Sequence, residues 1–329
     1  MRPGYLVQRG DERSTVRSAV SLPVLSSGAG ETGLVDRRAL LIGAGAVLLA
    51  GCARVQPGEA STSPTPSPTP SPTPASLVIG IEQSPTGVLL GALLVGAVTK
   101  LGASASVQPW GDDWQARLGS GALVAAPVWA GTAWGVLSDD DEPPADLLGD
   151  LAGLLDPDVG VLAPGKTDGG LVWMAAASSG LKSLEGLAKW SVGKSAAVAA
   201  MAIERADGMD GLNAIYGTNF AALAQEDPVV RAQLVASGQA GVGAFRRTEY
   251  TGGAALVELA DPDKMCTSDQ LVLLVNAAFA DQQPDLALAM NAVIQAITNA
   301  DLIALEQQVA QGGQAADVVK AWLSSKGLG

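Results

Sequence analysis

The chain has 329 residues and a formal net charge of −13, with 48% hydrophobic and 16% charged residues. That length allows one large or two ordinary domains, the composition excludes disorder for most of the chain, and the acidity excludes nucleic acid as a partner held by a basic face. There is no histidine and there are only two cysteines, Cys52 and Cys266, which excludes Ser-His-Asp and Cys-His catalysis, His-containing metal sites and Cys-rich zinc sites.

The first 34 residues are polar and patternless, and translation is expected to begin near Val35. Arg37 and Arg38 precede an uncharged run over 39–51, which is 13 residues long. That is short for a bilayer span and suits the apolar region of a signal peptide. The run ends Leu49-Ala50-Gly51-Cys52, which resembles the lipobox of bacterial lipoproteins. By that resemblance residues 1–51 are a signal peptide and Cys52 is lipidated, anchoring an exported protein to the outer face of the cytoplasmic membrane. Asp36 to Leu41 resembles a twin-arginine export motif; ordinary secretion with a basic start is the alternative, and both stay open. Residues 61–74 are eight Ser/Thr and six Pro. Such a run favours extended polyproline II, so with its flanks the segment to residue 76 is expected to be a tether reaching about 70 Å. With Cys52 lipidated, Cys266 has no disulfide partner and is expected to be a half-buried structural thiol.

From residue 77 the chain reads as alternating strands and helices. Residues 77–81 are a short apolar run, expected as a buried strand. Ser84 and Pro85 start a helix as N-cap and first helical residue, and Gly102 stops it after Leu101. Strands are expected at 122–128, 171–177, 240–245 and 271–277. Ser183 caps a helix through Trp190, and 231–237 reads as helix. From Pro284 the pattern is helical, with Leu286, Met290, Val293, Ile294 and Ile297 on one face, and a second helix from about Ala315 carries Trp322 in its core stripe. The alternation indicates an α/β protein with largely parallel sheets.

Three motif matches are read as coincidences. Gly160 to Thr167 fits the phosphate-loop pattern, but no helix is expected to open at Lys166, as phosphate binding there requires. Ser179 to Lys182 and Ser191 to Lys194 fit S-x-x-K without the partner elements of penicillin-recognising enzymes. Asp139 to Glu142 lacks the spaced ligands of a calcium loop and reads as a solvated acidic turn. No catalytic set, metal or cofactor is expected.

Six segments in order from about 77 to 329 carry a family resemblance: Ile79 to Gln83, Pro127 to Thr132, Leu181 to Leu187, Arg205 to Gly208 with Gly211-Leu212 and Tyr216-Gly217, Phe245 with Thr248-Glu249, and Pro284 through Leu302. Together they resemble the substrate-binding lipoproteins of ABC importers for glycine betaine, choline and related osmoprotectants. The resemblance implies a two-lobed fold of the type II periplasmic binding-protein kind, with lobe one at 77–170 plus 271–329 and lobe two at 171–270. It implies a small zwitterionic or cationic ligand in the cleft, two strands crossing between lobes, and a membrane permease as docking partner. The expected ligand is a quaternary ammonium, which donates no hydrogen bond and is held by aromatic faces. By the family pattern Trp129 is the cage aromatic, Thr132 a hydroxyl donor and Arg205 the grip on a carboxylate. Phe245 supplies a second wall and Tyr250 or Trp110 a third, with Gln83 and Ser84 at the turn into the first helix. The chain departs from the pattern at Glu82, Val128, Gly241 and Val230, and an acid at Glu82 favours a pure cation over a zwitterion.

Overall fold

The computed structural model describes residues 76–138, 140 and 143–329. The segments assigned above to export, lipid attachment and most of the tether lie outside the described residues, as does most of the acidic turn.

The chain begins with β1 (Leu77–Ile81), α1 (Pro85–Lys100), β2 (Ala105–Pro109), α2 (Trp114–Gly119), β3 (Ala125–Trp129), α3 (Ala130–Leu137), α4 (Leu147–Leu154) and β4 (Val159–Val161). It crosses to β5 (Leu171–Ala176), α5 (Leu187–Trp190), β6 (Ser195–Val198), α6 (Met209–Tyr216), β7 (Ala221–Ala224), α7 (Pro228–Ala236), β8 (Val242–Arg246) and β9 (Leu256–Glu258). It returns as β10 (Leu271–Asn276), followed by α8 (Ala277–Gln282), α9 (Pro284–Ala296), α10 (Asn299–Ala310) and α11 (Ala315–Ser325). Two five-stranded sheets result, ordered β2-β1-β3-β10-β4 and β7-β6-β8-β5-β9. Each is mixed, and each makes one lobe with its helices. β10 runs antiparallel to β3 and β4, and β5 antiparallel to β8 and β9.

The fully apolar strand runs follow from burial on both faces. Along β10, Leu271, Leu273 and Val275 enter the core beneath α1 and α9–α11, while Val272 and Leu274 face the opposite core beneath α2–α4. The period of two along one strand thus serves two cores. Trp322 packs in the first of these, as its helix stripe predicts. The start of α1 matches its sequence signal: the Ser84 side chain accepts from the Gly87 N–H, and Pro85 sits in the first turn. Gly102 follows at φ +82°, a conformation that favours glycine.

The sheets, expected as largely parallel, are half antiparallel by pairing, and two expected helices change in detail. The helix expected from Ser183 is a 3-10 turn followed by the single turn α5, although Ser183 does cap it by accepting from Glu185 N–H. The helix expected at 231–237 begins at Pro228, because Asp227 caps it by accepting from Val229 and Val230 N–H. β2, β6, β7 and β9 lie outside the expected strands; β2 and β7 are edge strands, exposed for most or all of their length. The phosphate-loop match is structural: β4 occupies Gly160 and Val161, no helix opens at Lys166, and Thr167 donates to Ile297 O at 2.7 Å.

The lobes meet where the two crossing segments run side by side. Asp168 bridges Gln270 in antiparallel fashion, Gly169 N–H donates to Asp269 O, and Leu271 N–H donates to Thr167 O.

Candidate functional site

Next to these crossings, side chains of both lobes converge. β3 ends at Trp129 and α3 follows at once, so Thr132 lies in the first turn of α3. Asp269, just before β10 and 2% exposed, accepts from Gly131 N–H at 2.6 Å and from the Thr132 hydroxyl at 2.6 Å. A carboxylate at a helix N-terminus satisfies N–H groups that the helix leaves open. The second lobe reaches the same point with two arginines. Arg205 Nη1 donates to Thr132 Oγ1 at 2.9 Å, and Arg246 Nη2 does so at 3.4 Å. Arg246 also pairs with Asp269 at 3.6 Å and donates to Gly169 O at 3.1 Å. Its guanidinium lies 5.2 Å from the centroid of the Trp129 ring, a cation–π contact.

The structure therefore brings together Trp129, Thr132 and Arg205, and it fills their expected roles with the chain's own groups. The cation over Trp129 is Arg246. The carboxylate on the Thr132 hydroxyl and the start of α3 is Asp269. Trp129 is buried, and a Cβ placed on Gly169 would meet its ring at 2.4 Å, so that backbone lies hard against it. Arg205 forms a two-point pair with Asp207 at 2.6 and 2.8 Å. Burial works against its charge, and the bond to Asp207 with the nearby Asp269 overrides it, holding the guanidinium above its ordinary value. The carboxylate grip expected of Arg205 is thus taken by Asp207, two residues along the chain.

A cavity of about 250 Å³ lies between the lobes beside this network. The turn into α1 forms one wall with Glu82, Gln83 and Ser84. The other wall comes from the second lobe and includes Glu226, Asp227, Arg231, Arg246 and Glu249. None of its lining residues is aromatic. Phe245, Tyr250 and Trp110, expected as aromatic walls, are not among the residues that line it. Phe245 is fully buried among Val172, Ala197 and Val235, with the Arg231 guanidinium 4.9 Å from its ring centroid. Trp110 packs against Trp114 at 6.2 Å in the first lobe. Tyr250 is half-buried, and its N–H donates to Glu306, which also accepts from Thr86 at the start of α1.

Sequence reasoning missed Arg246, Asp269, Arg231, Glu226 and Asp227. Arg246 follows Phe245 directly, and Asp269 sits within a polar stretch, one residue short of an apolar strand, so position alone marked neither. The departure at Gly241 has a packing cause: a Cβ there would meet the Trp190 ring at 2.6 Å. Cys266 is half-buried and unbridged among the described residues. Burial, with Asp261 and Asp207 nearby, pushes its thiol up to about 12, so it stays protonated and unreactive.

A comparison with protein families matches residues 75–325 to OpuAC, the substrate binding domain of an ABC-type glycine betaine transport system. A comparison with curated protein sequences finds no match. Among solved structures, a glycine betaine/carnitine/choline ABC transporter protein is 15% identical with a TM-score of 0.63, covering 77% of this chain and 99% of its own. Lactococcal OpuAC, closed on glycine betaine, is 12% identical with a TM-score of 0.59, covering 76% and 95%. Apo YehZ from Escherichia coli is 18% identical with a TM-score of 0.59, covering 78% and 100%. At these identities the likeness is one of fold, the two-lobed type II binding-protein fold.

Proposed function

The chain belongs to the family of substrate-binding domains of ABC-type glycine betaine transport systems, and from that premise we propose that it is the extracytoplasmic capture component of an importer. It takes a small cationic or zwitterionic solute into the cleft between its lobes and presents it to a membrane permease. Lipid on Cys52 holds it at the outer face of the cytoplasmic membrane. It works as a binder, not as an enzyme. The observation that carries this reading is the interlobe cavity, whose walls come from the start of α1 on one side and from the second lobe on the other. A ligand touching both walls favours the closed arrangement by its differential contacts, which is what a permease reads.

One observation favours a second reading. Arg246 and Asp269 already occupy Trp129 and the start of α3, as a ligand's cation and carboxylate would. A scaffold lipoprotein that has lost its ligand would look the same at that point. Thermal denaturation of the full chain against small cations and zwitterions separates the two. A ligand at about 100 times its Kd stabilises by about 2.7 kcal/mol. A dose-dependent rise of that order supports capture, and a folded sample that no solute stabilises supports the scaffold.

A further inference from the structure

We propose that the cleft selects a small cation bearing N–H groups, a protonated amine or guanidine, and rejects its quaternary counterpart. This rests on the capture reading above and names the ligand class for that site. A quaternary ammonium has no proton to donate and is held by aromatic faces. The cavity offers none: of the rings expected in a cage, Trp129 is covered by Arg246, and Phe245, Tyr250 and Trp110 do not line the cavity. What the cavity offers is carboxylate. Its two arginines are matched, Arg231 with Glu249 at 2.5 Å and Arg246 with Asp269 at 3.6 Å. Glu82, Glu226 and Asp227 have no cationic side-chain partner among the described residues. Among the described residues the Glu226 carboxylate accepts only from the Ala200 N–H, and Asp227 caps α7 through one oxygen. Open carboxylate oxygens reward a donor that brings both charge and protons, since charge-assisted hydrogen bonds are the strong ones.

A second feature of the cavity bears on the rest of the ligand. Arg231 is 1% exposed and lines it, and its Nε has no acceptor among the described residues. A buried N–H without a partner is costly, and a ligand oxygen relieves that cost. The best occupant therefore carries an oxygen acceptor, carboxylate or hydroxyl, beside its N–H-bearing cation. N-methylation of the cation to exhaustion removes every proton and adds bulk in a space of about 250 Å³.

The test uses the full chain purified in mild detergent and titrated by calorimetry with pairs that differ only in N-methylation: ethanolamine and choline, glycine and glycine betaine, γ-aminobutyrate and γ-butyrobetaine. In at least one pair the N–H member is expected to bind roughly tenfold or more tighter than its trimethyl mate, the difference that one charge-assisted hydrogen bond makes. The double variant Glu82→Gln with Glu226→Gln should weaken that binding by at least about fivefold while melting as the parent does. Binding in which no N–H member is tighter than its trimethyl mate overturns the class and leaves the capture reading standing. Binding indifferent to the double variant overturns the assignment of the site. Silence from all six compounds on a cooperatively melting sample overturns both the class and the capture reading.

Discussion

Glu306 is the buried acid whose protonation the fold feels. It is 6% exposed, and it joins Thr86 at the start of α1 to the backbone of Tyr250 in the other lobe. Burial raises its pKa most and Glu249 adds to that, against the bonds from Thr86 and Tyr250. A raised carboxyl favours the fold when protonated. Its contribution is full below the ordinary carboxylate value and is lost as pH rises through the raised one. Glu306→Gln removes the charge, keeps an acceptor for the Tyr250 N–H, and offers an N–H to the Thr86 hydroxyl, which turns from donor to acceptor. The variant should melt higher than the parent at pH 7, with the gap closing as pH is lowered through the acidic range. A gap that does not change with pH in melting curves would show that Glu306 carries no such penalty. Arg246 presents the opposite case, because removing it leaves Asp269 buried beside an uncompensated space. Arg246→Ala is expected to cost about 3 kcal/mol in urea unfolding, the usual size for a broken buried pair. A cost under about 1 kcal/mol would mean that the donors at α3 suffice for Asp269.

At the level of elements, α1 ties sequence to site most directly. Ser84 caps it, Pro85 fixes its first turn, and the same turn forms one wall of the cavity. Ser84→Ala should cost about 1 kcal/mol of stability, the typical worth of an N-cap, and should loosen that wall. Unchanged unfolding midpoint and unchanged ligand affinity together would show that the cap is dispensable. This helix was legible in the sequence because its signals are local, as were β1, β5, β8 and β10, whose apolar runs reflect burial on both faces. β2 and β7 were not legible, since exposed edge strands are held by ladder bonds to a neighbour and leave no hydrophobic period. The site divides in the same way. The segments around Trp129, Thr132 and Arg205 carried enough family pattern to be grouped, and Thr132 and Arg205 do touch. Their occupants were not legible, because Asp269 reaches Thr132 across 137 positions and Arg246 across 114. Only the folded crossings set those partners side by side.

Across the whole molecule, two attachments matter: the proposed lipid anchor to the envelope and the contacts between the lobes. Cys52, the proposed lipid site, is separated from the first strand by the Ser/Thr/Pro run at 61–74, so Cys52→Ala should abolish partitioning into detergent without shifting the melting temperature. Metabolic acyl labelling that persists in this variant would refute the anchor. Between the lobes, the Thr132 hydroxyl is the tie that the other contacts share. It donates its one proton to Asp269 and accepts from Arg205 and Arg246, which uses its full hydrogen-bonding capacity. Asp269 belongs to the crossing that returns the chain to the first sheet, while both arginines come from the second lobe. Thr132→Val keeps the volume and removes the hydroxyl, leaving a buried carboxylate and two guanidinium groups each short of a partner. The expected cost is about 1–3 kcal/mol. A merely local loss would stop there. If the hydroxyl instead holds the lobes together, the variant should also open the crossings, and backbone N–H groups at Gly169 and Leu271 should exchange with solvent faster than in the parent, while those in α9 keep their protection. Hydrogen exchange read by mass spectrometry distinguishes the two. Faster exchange confined to the crossings identifies Thr132 as the latch between lobes, and uniform exchange across the chain would make it an ordinary contributor to stability.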